Sequence, residues 1–357
     1  MRKILSITTI MIFALILAAC DSRPKIKVFM PTEYIGEEFL AKFHKNSEYR
    51  VDIITFDSNE DMLSKYASGS YDLIIPSDYA LEELAAKDQL QAIDWNKITT
   101  FTKSDIDPEL QKALTNLNND EDGYDLLEFG VPYFWGTFGI LYDKTKVNTS
   151  VIEAEGWNIL HSGRDLMMYD SARDAVMVAL KQRFADTGND VGSVNNPDEA
   201  DLAAIEGWLR AIKGPKTIIG TDEIFDLMMD PAQVDLALAY SGDAVYLMDS
   251  NPDLAFHLPT SGTNVFIDAI VIPKNSSNID YAYDFINYLL DKDNAFNNSV
   301  EIAYTSPRGD VIDMVIEQDI YAESSYRIIY NERFEMFRYN QELHTKVINI
   351  WQRVLAA

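Results

Sequence analysis

A phenylalanine and an aspartate share one face of a predicted strand near residue 266. In the segment Phe266-Ile267-Asp268, the outer two side chains point to the same side, because residues two apart on a strand face alike. The face of an aromatic ring attracts a cation. A carboxylate gives an ammonium group a charge-assisted hydrogen bond. The pair therefore suits an organic cation, although a core phenylalanine beside a capping aspartate would leave the same pattern.

Two more groups of polar and aromatic residues follow predicted strands. Ser77 and Tyr79 come just after the third strand, and Tyr240 and Asp243 come at the end of a later one. Between the latter two, Gly242 permits a sharp turn that could bring the carboxylate back towards the ring. Open α/β sheets bind ligands at the carboxyl ends of their strands. These positions are candidate ligand contacts, while a simple turn explains Ser77 and Tyr79 equally well.

A fourth group opens a predicted helix. Ser171 stands three residues before Asp174 and ahead of an apolar helical run, which is the pattern of a capping box. A capping carboxylate at the start of a helix can still face a cleft, so Asp174 is also a candidate ligand contact.

The elements that must position these residues alternate between strands and helices. Such alternation indicates α/β architecture with largely parallel sheets. Strands are predicted at 26–29, 51–54, 71–75, 138–142, 234–240 and 264–272, and helices at 281–290 and at the C-terminus.

Motifs for catalysis and for metal binding are missing from the sequence. It has no phosphate-binding loop, no dinucleotide fingerprint, no His-Glu-x-x-His, no paired cysteines and no Gly-x-Ser-x-Gly. Two carboxylates could make a hydrolase, but among 57 acidic residues pairs arise by chance. The sequence therefore predicts a binding protein without enzymatic activity, cofactor or metal.

The composition excludes nucleic acid as a partner. Acidic residues outnumber basic ones 57 to 30, and the net charge is −27. Such a field repels nucleic acid and attracts cations, although solubility explains the acidity equally well. A chain of 357 residues is long for one domain and suits two.

The N-terminus has the pattern of an export signal. Basic residues at positions 2 and 3 precede an apolar run that ends in Leu17-Ala18-Ala19-Cys20. This end resembles the lipobox of bacterial lipoproteins, which implies a signal peptide at 1–19, a lipidated Cys20 and a tether at 20–24. The protein is thus predicted to be lipid-anchored on the outer side of the cytoplasmic membrane. In a double-membraned bacterium this is the periplasmic side of the inner membrane.

Taken in order, six segments resemble the periplasmic spermidine/putrescine-binding proteins, the substrate-binding subunits of ATP-driven polyamine importers. The resemblance covers nearly the whole chain after the signal. The segments are 32–34, 71–79, 131–136, 170–174, 266–268 and 303–307.

The resemblance implies a two-lobed periplasmic binding protein fold of type II, with mixed sheets, helices on both faces and a ligand cleft between the lobes. The chain would cross between the lobes after Gly136 and near Phe266. Lobe one would comprise 25–136 plus 268–308, and lobe two 137–267 plus 309–357. Such proteins close about a hinge around their ligand.

The resemblance also implies a set of ligand contacts. Asp268 matches the central carboxylate that grips an amino group, and Asp243 matches a carboxylate of putrescine-selective members. The other matching positions are Glu33, Tyr34, Ser77 and Tyr79 on lobe one, Asp170, Ser171 and Asp174 on lobe two, the aromatic residues Tyr240, Phe266 and Tyr304, and Glu335 near a C-terminal glutamine.

The chain departs from the family pattern where tryptophans are usual. Pro31 and Tyr240 replace two of them, Phe266 matches the putrescine pattern, and Ser171 replaces an aspartate of the spermidine pattern. The predicted ligand is therefore a polyamine, either putrescine or spermidine, and the pattern favours diamines such as putrescine.

The predicted function is capture of this polyamine by a monomer that delivers it to the membrane permease of an ABC importer. The same fold could instead hold betaine or another organic cation. Ferric iron is disfavoured because no Tyr-Tyr dipeptide occurs. The sequence also allows a carboxylate-dependent hydrolase or a sensor beside a chemoreceptor.

Overall fold

The computed structural model describes residues 23–119, 123–189, 192–229 and 231–357. The predicted signal peptide and Cys20 lie outside these residues. Within the described ranges, no helix is long and apolar enough to cross a membrane.

In the described part of the chain, nine strands form one mixed sheet in the order β2-β1-β3-β9-β4-β7-β5-β6, with β8 paired to β4. Pairing is parallel among β1, β2 and β3 and among β5, β6 and β7, whereas β9 and β4 run antiparallel to their neighbours. The strands are β1 Lys25–Pro31, β2 Arg50–Phe56, β3 Leu73–Ile74, β4 Gly130–Asp143, β5 Leu166–Tyr169, β6 Thr217–Gly220, β7 Leu236–Tyr240, β8 Leu254–His257 and β9 Val265–Val271.

Strand β4 joins the two halves of this sheet. All 14 of its residues are buried, which explains its nearly continuous apolar and aromatic sequence. Residues 130–137 pair with β9, and residues 138–142 pair with β7. The change of partner thus lies between Thr137 and Phe138, next to the crossing expected after Gly136. The register shifts between Pro132 and Phe134, as expected where proline cannot donate a ladder hydrogen bond.

Helices connect and flank the strands. Serine side chains cap two of them, and the cap at Ser171 was predicted: the Ser58 hydroxyl accepts a hydrogen bond from the amide of Asp61 at 3.1 Å, and that of Ser171 accepts one from the amide of Asp174 at 3.3 Å. The α-helices are α1 Glu37–Asn46, α2 Asn59–Tyr66, α3 Asp78–Ala86, α4 Pro108–Asn119, α5 Leu126–Phe129, α6 Thr149–Glu155, α7 Ala172–Thr187, α8 Glu199–Ile212, α9 Glu223–Met228, α10 Ser241–Ser250, α11 Ile279–Leu290, α12 Lys292–Ile302, α13 Gly309–Glu317, α14 Glu323–Tyr326 and α15 Gln341–Leu355.

The described residues form two large hydrophobic cores, one in each half of the sheet. The first core surrounds β1, β3, β9 and the first part of β4. The second core surrounds the rest of β4 with β5, β7, α7, α8 and α15. Two smaller cores lie beside β7 and α10, and between α10 and the helices α12 to α14. Separate cores are the physical basis of two lobes.

The C-terminal region contributes residues to both large cores. Ile328, Phe334 and Met336 pack into the first core, whereas α15 packs into the second. The reason is a backbone bridge between Asn264 and Glu335, which holds this segment beside the start of β9. Only the last part of the predicted stretch 309–357 therefore packs in the second core.

Candidate ligand site between the two cores

Aspartate–tyrosine pairs mark the region where the two halves of the sheet meet. Each of three aspartates accepts a hydrogen bond from a tyrosine hydroxyl, and each lies on a different element. The pairs are Asp268 with Tyr34, Asp174 with Tyr240, and Asp243 with Tyr304.

Asp268 lies on β9 and is 5% exposed. Its carboxylate accepts hydrogen bonds from the Tyr34 hydroxyl and, at 2.6 Å, from the Ser77 hydroxyl. Ser77 is held in turn by Asn59, whose amide nitrogen donates to the serine hydroxyl at 2.9 Å and whose oxygen accepts from the serine backbone at 3.0 Å. Burial raises the pKa of Asp268 to about 6. The carboxyl group is thus rigidly oriented and costly to ionise without a cation.

Asp174 lies in the first turn of α7 and is 3% exposed. One carboxylate oxygen accepts a hydrogen bond from the Tyr240 hydroxyl at 2.8 Å. The other oxygen is buried and has no hydrogen-bond partner. Burial raises the pKa of this carboxyl group. A buried acceptor without a partner costs free energy, so this oxygen is a ready position for a ligand donor.

Asp243 lies in the first turn of α10 and is partly buried. It accepts a hydrogen bond from the Tyr304 hydroxyl at 2.8 Å, and burial raises its pKa to about 7. Gly242 allows this contact, because a Cβ at that position would lie 2.1 Å from the Tyr304 ring. The exposed Glu33, at a positive φ of 55°, also raises the pKa of Asp243 through its charge.

A row of aromatic rings connects the three aspartates. The ring of Tyr34 meets that of Tyr304 edge to face at 5.0 Å. Phe266 lies 6.4 Å from Tyr304 and 5.3 Å from Tyr240, both in edge-to-face arrangements. Such a row presents ring faces and edges to an aliphatic chain, while the carboxylates lie at its ends and middle.

Three of the residues implied by the resemblance use their side chains in other hydrogen bonds within the protein. The Asp170 carboxylate accepts a hydrogen bond from the Trp351 indole at 2.8 Å, and Ser171 caps α7. The Glu335 carboxylate accepts hydrogen bonds from the buried Lys181 and from Ser193. Within the described part of the chain, no hydrogen bond links Asp170 or Glu335 to the three aspartates.

Two residues near the aspartates were missed by the sequence reasoning. Asn59 orients Ser77, as described above. Tyr169 packs against the Tyr240 ring at 5.1 Å, and burial, followed by the charges of Asp243 and Asp174, raises its pKa. Tyr169 ends β5, so the rule that located Ser77 and Tyr240 at strand ends could have found it.

In the described ranges, no group of three or more histidine, cysteine, aspartate or glutamate residues is placed to hold a metal ion.

Two cores joined by a shared strand, with acids and rings gathered where they meet, define a two-lobed solute-binding protein. Residues 38–322 match the model of the bacterial extracellular solute-binding protein family, and the chain belongs to that family. The predicted fold class is confirmed, and the family binds solutes for ABC transport rather than catalysing a reaction.

Several similar proteins are named for binding polyamines, and this confirms the resemblance seen in the sequence. The spermidine/putrescine-binding periplasmic protein of Escherichia coli K12 is 27% identical over 295 residues, covering 81% of this chain and 79% of the relative. The putrescine-binding periplasmic protein PotF of the same organism is 26% identical over 295 residues, covering 79% and 77%. The structure of the spermidine/putrescine ABC transporter substrate-binding protein PotD from Streptococcus pneumoniae matches with a TM-score of 0.74 and 27% identity, covering 93% and 99%.

Proposed function

We propose that this chain captures putrescine or spermidine outside the cytoplasmic membrane and delivers it to the permease of an ABC importer. The observation that carries the proposal is the trio Asp174, Asp243 and Asp268, whose carboxyl pKa values are all raised by burial. Because burial makes these carboxyl groups costly to ionise, a cation that pairs with them stabilises their charged forms. The polyamine names of the relatives support the same ligand class.

The chemistry of a diamine fits these acids. Its amines have pKa values near that of lysine, about 10, so both ends are charged at neutral pH. Burying each ammonium costs on the order of several kcal/mol unless a carboxylate pairs with it. An ionised carboxylate can accept about four hydrogen bonds. Asp174 and Asp268 can therefore receive an ammonium group while Tyr240 and Tyr34 stay bonded, and the aromatic row covers the methylene chain.

The proposal is tested by calorimetric titration with putrescine, cadaverine, spermidine and spermine. We expect a roughly micromolar or tighter Kd for at least one of them and recovery of the ligand unchanged. Glycine betaine is the matched control, because a quaternary ammonium offers no N–H donor to the three carboxylates. Affinities no better than about millimolar for every polyamine, or tight binding of betaine alone, would contradict the assignment.

We further propose that the protein is lipid-anchored through Cys20. The support is the sequence Leu17-Ala18-Ala19-Cys20 after a basic and apolar leader. In a bacterial expression host, wild type should incorporate a fatty-acid label and sediment with membranes. Cys20→Ser should lose both properties. A Cys20→Ser variant that still carries the label would show that the lipid is attached elsewhere.

A further inference from the structure

A cluster of charged residues connects the two lobes and does not include the three aspartates of the candidate site. Glu60 on α2 belongs to the lobe of the first core, whereas Arg173 on α7 and His344 on α15 belong to the lobe of the second. One oxygen of the Glu60 carboxylate lies 3.4 Å from Arg173 Nε and 3.3 Å from His344 Nε2. The two lobes thus share one carboxylate between them.

An aromatic contact strengthens the same bridge. The Arg173 guanidinium carbon lies 3.9 Å from the centroid of the Tyr79 ring and 6.0 Å from that of Phe337. The Tyr79 hydroxyl donates to Glu60 at 3.3 Å. A guanidinium stacked on a ring gains a cation–π attraction that survives partial burial. Tyr79 comes from the lobe of the first core, so this stacking also crosses between the lobes.

The cluster is partly shielded from water, so its charges interact more strongly than they would in bulk solvent. The Arg173 side chain is 12% exposed and that of Glu60 is 39% exposed. Burial alone would raise the pKa of Glu60, but the hydrogen bond from His344 and the charge of Arg173 outweigh it and lower the pKa to about 2. Glu60 is therefore ionised at every physiological pH and remains a partner for Arg173.

We propose that Glu60 and Arg173 form a clamp that holds the lobes closed and sets the rate at which bound ligand dissociates. These contacts exist only while the lobes are close, so opening must break them. A ligand enclosed between lobes can leave only when they open, and interactions of this kind act mainly on the dissociation rate. Neither side chain needs to touch the ligand. The clamp rests on the proposed function only for the choice of ligand.

A different role for Glu60 predicts the opposite sign for one variant. Arg173 adjoins Asp174, so its positive charge would repel a cationic ligand unless Glu60 neutralises it. If neutralisation were the only role of Glu60, removing the Arg173 charge would tighten binding. If the two residues form a clamp, removing either side chain speeds dissociation.

The decisive experiment measures dissociation of putrescine or spermidine, whichever binds more tightly, by stopped-flow. Glu60→Gln and Arg173→Gln should each speed dissociation about 3- to 10-fold, the range for a half-buried ion pair with a cation–π contact. The double variant should be faster than either single variant but by less than the product of the two effects, because the two residues share one ion pair. The contact of Arg173 with Tyr79 persists in Glu60→Gln, and that of Glu60 with His344 persists in Arg173→Gln. Tighter binding by Arg173→Gln would overturn the clamp.

Asp61→Asn is the matched control. Asp61 lies on the same helix and loses the same charge, but its carboxylate pairs with the exposed Lys65 at 2.6 Å within α2. The ligand should dissociate from Asp61→Asn at the same rate as from wild type. A Glu60→Gln rate equal to that of Asp61→Asn would also overturn the clamp.

Small-angle scattering of the ligand-free protein separates the clamp from the ligand assignment. Glu60→Gln should show a larger radius of gyration than Asp61→Asn, because the closed form is less populated. If no polyamine binds yet this difference is found, the clamp stands and the ligand assignment fails. If polyamines bind and Glu60→Gln matches Asp61→Asn in both rate and radius, the clamp fails and the ligand assignment stands.

Discussion

Replacing Asp268 by asparagine is expected to weaken diamine binding by roughly 100- to 1,000-fold, the loss typical of removing one charge from a buried hydrogen-bonded pair. Asparagine keeps the size of the side chain. The Tyr34 and Ser77 hydroxyls donate to different oxygens of Asp268, so the amide oxygen of asparagine can accept from one of them while its NH2 group donates to the oxygen of the other. The change therefore removes the charge that an ammonium group needs and little else. Calorimetric titration of wild type and variant at pH 8 measures the effect.

Asp280→Asn is the control for the change in net charge. The Asp280 side chain is 98% exposed and pairs only loosely with Lys97, at 3.3 Å. Its affinity should stay that of wild type, since exposed charges far from a site contribute little. Wild-type affinity in Asp268→Asn would show that this carboxylate does not grip the ligand.

Stability distinguishes a lost charge from a damaged fold. Burial raises the folded-state pKa of Asp268 to about 6, above the ordinary value of about 4. The folded protein thus holds this proton more tightly than the unfolded chain does, so the stability that the group contributes is present below pH 4 and is lost as pH rises through 6. At pH 8 the ligand-free Asp268→Asn variant should melt at a temperature equal to or above that of wild type.

Local rules accounted for much of the fold and of the site. The capping residues Ser58 and Ser171 begin helices because a side-chain oxygen three residues ahead of an amide can satisfy it without tertiary help. Strand ends located Ser77 and Tyr240 because the carboxyl edge of a sheet is set by strand direction alone. Such information lies within a few neighbouring residues, and a sequence displays it directly.

Contacts between distant segments were not accessible in the same way. Glu335 pairs with Lys181 because a cation buried in the apolar α7 requires a carboxylate, yet 154 residues separate the two. Glu60 likewise pairs with Arg173 across 113 residues of the chain. The lysine within an apolar helical run was the one available signal, since a buried ammonium needs a partner. That signal does not say which acid supplies it.

Affinity for a diamine is expected to fall by about 1,000-fold between pH 8 and pH 5 through protonation of Asp243 and Asp268. Burial raises the pKa of Asp243 to about 7 and that of Asp268 to about 6 in the ligand-free site. An ammonium partner favours the ionised forms and lowers both values, so binding at low pH must expel protons. At pH 5 this costs about 100-fold for Asp243 and about 10-fold for Asp268. The ligand amines, with pKa values near 10, do not titrate in this range.

Titrations from pH 5 to pH 8 in two buffers of different ionisation enthalpy measure both the affinity and the protons released. Asp243 and Asp268 together should release about two protons per ligand at pH 5 and almost none at pH 8, and Asp174, whose pKa burial also raises, adds to the release at low pH. Asp243→Asn should abolish the upper midpoint near pH 7 and leave a shallower dependence, to which Asp268, with a pKa of about 6, and Asp174, whose pKa burial also raises, still contribute. An affinity that is level across this range would mean that both carboxylates are already ionised in the free protein. The proposal that buried, protonated carboxyl groups ionise when the ligand binds would then be wrong.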